Sequence, residues 1–133
     1  MKRLTLLIFC LAFALQVMAS GQSKEEPVQH LKISDVTSMI DAKKIFIEKT
    51  SEIKSKKSLD QLELQQIHII TYTLEKSVAY FVENLKGDRQ ELANEIALVV
   101  EDIHISSENN QKLKTVDHLN KYFNLAEQLA SGF

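Results

Sequence analysis

Two histidines carry the chemistry this sequence has to offer. His68 lies 19 residues before Gly87 and His104 lies 17 residues after it, in segments that read HIITYTLE and EDIHISSE. If Gly87 turns an antiparallel helical hairpin, the two-residue difference amounts to about 3 Å along the axis, and the imidazoles share one level. Neutral imidazole is a ligand for copper, zinc and haem iron, so a facing pair is a candidate half-site for any of them.

Helical rotation of about 100° per residue puts His68 roughly 90° from the centre of its apolar seam and His104 roughly 80° from its own. Both sit on flanks displaced in the same sense. In antiparallel helices such flanks are mirror images, so the rings face each other or point apart according to bundle handedness. Small residues favour the facing arrangement, because Ala93, Ala97 and Val100 share the flank of His104, while Ala79 and Val82 share that of His68. Axes 8–10 Å apart would then let both imidazoles reach one ion at about 2 Å each.

A metal needs further donors, and the acids differ in placement. Glu75, about 70° from its seam and on the His68 stripe, is the expected third ligand or outer hydrogen-bond acceptor. Glu101 and His104 have the E-x-x-H spacing of di-iron bundle sites, but the residue matching Glu101 before His68 is Gln65, so the second half is missing. Glu101 and Glu108 lie more than about 100° from the seam, which assigns them to solvent or, together with Tyr72, to the surroundings of the ligands. Against the metal reading stands a plainer one, in which His68 and His104 pack and hydrogen-bond between two helices. Flank histidines of bundles more commonly do that. His118 reads as surface, His30 as solvated, and Met39 as core rather than an axial haem ligand.

Other chemistry is excluded by what is missing. The chain has no Gly-rich phosphate loop, no nucleophile elbow and no CxxCH haem-attachment motif, so no enzyme is expected. Residues 1–19 read as a secretory signal, with Lys2 and Arg3 ahead of the apolar run Leu4 to Leu15 and small residues for cleavage after Ala19 or, alternatively, after Gly21. Cleavage removes the sole cysteine, Cys10, so no disulfide can form in the product. It also takes the formal charge from −2 to −4, with 14 basic against 18 acidic side chains. A mildly acidic surface speaks against nucleic acid and anionic membrane as partners. A periplasmic or secreted monomer or homodimer is expected, with room for a protein partner.

The elements that must position the histidines follow from the apolar periodicity. Residues 20–33 lack period and read as a flexible arm, and residues 34–133 as an all-α domain. Helix one is expected from Asp35 to Lys56, capped by Ser34 or Asp35, with seam Val36, Met39, Ile40, Phe46, Ile47 and Ile53. Helix two should start at Ser58, boxed with Gln61, and carry Leu64, Ile67, Thr71, Leu74, Val78, Phe81 and Leu85. Helix three, capped by Asp88 with Glu91, should bury Leu92, Ile96, Val99 and Ile103. Helix four should bury Leu113, Val116, Leu119, Phe123, Ala126 and Ala130. Short connections make this an antiparallel up-down-up-down four-helix bundle after a cleaved signal peptide.

The stretches IHIITYTLEKS around His68 and VEDIHISSE around His104 resemble the signature pieces of an uncharacterised family of small exported bacterial helical proteins. The resemblance covers most of the chain beyond the signal. It implies export and the bundle, and marks His68, Thr71, Tyr72, Glu75, Glu101, His104 and Glu108 as motif positions. It implies no activity. The sequence therefore points first to a non-enzymatic exported bundle, a structural or interaction module without cofactor. The alternative is a copper, zinc or b-type haem binder that uses His68 and His104.

Overall fold

Four helices follow one another through α1 (Met39–Lys54), α2 (Gln61–Asn84), α3 (Asp88–Glu108) and α4 (Lys112–Ala130). A computed structural model describes residues 33–133, so the expected signal peptide, Cys10, His30 and nearly all of the expected arm lie outside the described residues. Connections of six, three and three residues force neighbouring helices to run antiparallel. Each helix packs on the next, most extensively α2 on α3, and α1 meets α4 only lightly. This is the expected four-helix bundle.

Capping chemistry sets the helix starts, and three differ from expectation. Helix α1 begins at Met39 because Ser38 is the N-cap, its Oγ accepting from the Asp41 N–H at 3.1 Å. Neither Ser34 nor Asp35 serves; Asp35 pairs instead with Lys76 at 2.9 Å. Helix α2 is capped by Asp60, whose Oδ1 accepts from the Glu63 N–H at 2.9 Å. Glu63 in return accepts from the Ser58 and Leu59 N–H groups, which lets Leu59 hold a φ of 45°. Helix α3 starts on Gly87 with no side-chain cap, Asp88 being its first residue.

The core carries aromatic residues from three helices. Phe46 of α1 meets Phe81 of α2 edge-on at 5.5 Å and Tyr122 of α4 at 6.3 Å. Burial raises the Tyr122 phenol well above its usual range, while a hydrogen bond with Thr50 opposes the shift and satisfies the hydroxyl. The α2 seam is as expected: Leu64, Ile67, Thr71, Leu74, Val78 and Phe81 are buried, and Leu85 lies partly buried at the core's edge. Ile96, Val99 and Ile103 of α3 are also buried, with Leu92 at the margin.

Helices α1 and α4 are rotated relative to expectation. In α4 the buried face is Thr115, Leu119, Tyr122, Leu125, Ala126 and Leu129, while Leu113 is 81% exposed. Thr115 can enter the core because its hydroxyl has partners in Ser106 Oγ at 3.0 Å and the Gln111 carbonyl at 3.1 Å. In α1 the buried residues are Ala42, Phe46 and Ile53, while Ile40 and Ile47 are exposed. A helix that leans on one neighbour buries a narrower stripe than one wedged between two.

Candidate metal centre

The bundle turns so that the His68 and His104 flanks face each other. Their rings meet edge to face, with centroids 4.6 Å apart and an interplanar angle of 90°. The matched spacing about Gly87 thus places both at one level, across the most extensive helix contact in the molecule. Of the small residues on these flanks, Ala93 and Val100 are buried, Ala97 and Val82 pack at the core margin, and Ala79 is exposed. Close approach comes mainly from the α3 side.

His104 is fixed from the opposite helix. Thr71 Oγ1 is 2.6 Å from the carbonyl oxygen of His68 and 2.9 Å from Nδ1 of His104. A hydroxyl has one proton, and a carbonyl can only accept, so Thr71 donates to His68 and receives the Nδ1–H of His104. That assignment fixes the tautomer and leaves Nε2 of His104 with its lone pair free. Glu75 Oε1 stands 3.1 Å from the same Nδ1 without being aligned for a hydrogen bond, and it has no other partner. The carboxylate therefore acts on the ring through charge. Burial chiefly raises the Glu75 carboxyl above its usual range, with the neighbouring Glu101 adding to the shift and His104 opposing it.

His68 is held more loosely. Its Nε2 lies 3.2 Å from the hydroxyl of Tyr72, one turn along the same helix. The Tyr72 ring also packs edge-on against His104 at 4.8 Å. His68 titrates below its usual range, mainly through burial and secondarily because His104 disfavours a second positive charge beside it; Glu108 pulls the other way. Its neutral form, the one a metal requires, is favoured.

Glu108 is the candidate for a third donor. Among the described residues, one ligand atom from each of His68, His104 and Glu108 lies within 4.8 Å of the other two. Donors bound to a single tetrahedral zinc at about 2.0–2.1 Å are about 3.4 Å apart, so modest side-chain rotation would close the set. Of the two roles expected for Glu75, third ligand or outer partner of a ligand, it stands in the second, beside Nδ1 of His104. Glu108, expected in solvent or in the surroundings of the ligands, comes near both histidines. The cause is the tilt of Cα–Cβ bonds toward a helix N-terminus. Glu108, four residues after His104, leans back toward it, whereas Glu101, three residues before, leans away, both on the exposed side of the helix. Tyr72 touches both rings, as its position one turn from His68 suggests. Thr71 was legible as a seam residue and, through the resemblance, as a motif position; its partnership with His104 could have been sought in the polar character of that one seam position.

Residues 1–131 match a family of unknown function, DUF6746. The chain belongs to this family. That membership agrees with the resemblance drawn from the two histidine segments, and all of the site residues fall within the matched span. No curated protein matches, and no solved structure matches. Among the described residues, no helix is long and apolar enough to cross a membrane.

Proposed function

We propose that this protein is an exported, non-enzymatic helix bundle that binds one transition-metal ion, copper or zinc, between α2 and α3. The reading is carried by the convergence of His68, His104 and Glu108, with donor atoms within 4.8 Å of one another. It is supported by the way His104 is held. A metal-binding imidazole commonly donates its remote N–H to an oxygen acceptor with a carboxylate close by, and Thr71 and Glu75 supply both. Two imidazoles and a carboxylate suit zinc and copper(II). Rings in edge-to-face contact at 4.6 Å leave no space for a porphyrin plane between them, which favours an ion over b-type haem. Export rests on the leader, with Lys2 and Arg3 ahead of its apolar run.

The competing reading keeps the same contacts as purely structural, since Thr71 and Tyr72 satisfy both rings. Titration of the metal-free protein with zinc and with copper(II), each in competition with a chromophoric chelator, separates the two. One equivalent should bind, and the His68→Ala/His104→Ala variant should lose it. Equal affinity in the parent and the double variant would leave only the structural role.

A further inference from the structure

The two histidine ligands are held unequally. His104 is anchored across the helix interface through Nδ1, with the fully buried Thr71 at 2.9 Å and Glu75 at 3.1 Å. His68 has its side-chain hydrogen bond on its own helix, its Nε2 lying 3.2 Å from the Tyr72 hydroxyl. With the His68 proton on Nδ1, an ion at Nε2 and the Tyr72 hydroxyl would compete for one lone pair. Glu108, the remaining donor, is exposed. Three protein donors leave a tetrahedral ion with a position open to solvent, the arrangement of a reactive site rather than of a closed structural one.

The hydrophobic core does not depend on this cluster. Phe46, Phe81, Ile96, Ile103 and Tyr122 are buried among the four helices, while both histidines are only partly buried. Zinc fingers fold only with their metal, because the ion stands in for a core. Here the bundle has its own, so an ion can come and go without unfolding it.

From these observations, and resting on the metal reading above, we infer that the site is a carrier site that hands its ion on by ligand exchange. A donor atom of a chelating acceptor enters the open position and forms one coordinate bond. The bond from His68 to the ion breaks, and its lone pair accepts the Tyr72 O–H. His104 and Glu108 hold the ion until the acceptor's further donors replace them. Neither the metal's oxidation state nor the number of protons on the protein changes.

The test uses the full chain loaded with one equivalent of zinc and mixed in a stopped-flow instrument with increasing excesses of pyridylazoresorcinol. The transfer rate should rise in proportion to chelator concentration, because the acceptor takes part in the step. Tyr72→Phe should bind zinc more tightly and release it more slowly, each by roughly two- to tenfold, the worth of one removed competing hydrogen bond. A rate that does not depend on chelator concentration would overturn the inference while leaving zinc binding intact. Weaker binding or faster release in Tyr72→Phe would overturn it too, making Tyr72 a ligand or a prop. If Tyr72→Phe fails to fold, the chelator dependence of the parent still decides. A parent chain that binds no zinc refutes both this inference and the reading it rests on.

Discussion

Replacing Thr71 by valine tests the site through a residue that would never touch the ion. The side chain is fully buried and its hydroxyl links the His68 carbonyl to Nδ1 of His104. Valine keeps the shape and removes both bonds. The His68 carbonyl retains its helical partner, so the main loss is the acceptor for the His104 N–H, and an orphaned buried donor costs about 1–3 kcal/mol. Glu75, 3.1 Å away, can take over once the ring turns, which places the expected loss near the lower end, about 1 kcal/mol. For a domain of this size that is a fall in Tm of about 4–8 °C. Ligand geometry should suffer more than stability, because the Thr71 hydroxyl no longer fixes the orientation of the His104 ring. Loss of an outer hydrogen bond typically weakens metal affinity 10- to 100-fold, and a drop of about tenfold in zinc affinity is expected. Thermal melting by circular dichroism and zinc competition, run on the same preparation, give both numbers. If stability falls as expected and zinc affinity stays at the parent value, Thr71 does not orient His104 toward a ligand position.

Acid should act through His68. Its folded pKa is lowered from 6.5, so its contribution to stability is fully present above pH 6.5 and is lost as pH falls from there through the lowered value. Urea midpoints measured from pH 7.5 downward should decline over that range, and His68→Gln should flatten the decline. Gly87 holds φ 59° and ψ −143°, a region close to glycine-only, while a Cβ there would meet nothing within 4 Å. Gly87→Ala should therefore cost about 1–3 kcal/mol from backbone strain alone, and a chemical denaturation curve with an unchanged m value would show it.

How far the site could be read in advance depended on whether the question was one of register or of reach. Register was legible: helix period and a glycine turn placed His68 and His104 at one height, and the α2 seam from Leu64 to Phe81 is buried as the spacing predicts. Reach was not, because the angle of a Cα on a helical wheel says little about where a long side chain ends. Glu108 returns to the histidines and Glu101 does not, a difference set by the N-terminal tilt of side chains. Helix α4 offered two overlapping stripes. Leu113 and Phe123 marked the expected one, but the helix buries Thr115 and Tyr122, whose hydroxyls find Ser106 and Thr50. Those partners lie on other helices and are invisible to local periodicity.

The light contact between α1 and α4 leaves a groove of about 320 Å³ along their seam, lined by Phe46, Ile47, Phe123 and Ala130 among others. In a four-membered ring of helices that seam lies opposite the α2–α3 pair. Phe46 and Thr50 of α1 reach Tyr122 of α4 below that groove, so opening the seam is expected to cost those contacts, and hydrogen exchange in α1 and α4 would show how readily it occurs. The histidine hairpin has the most extensive helix contact in the bundle, so slower exchange is expected around His68 and His104 than along the far seam.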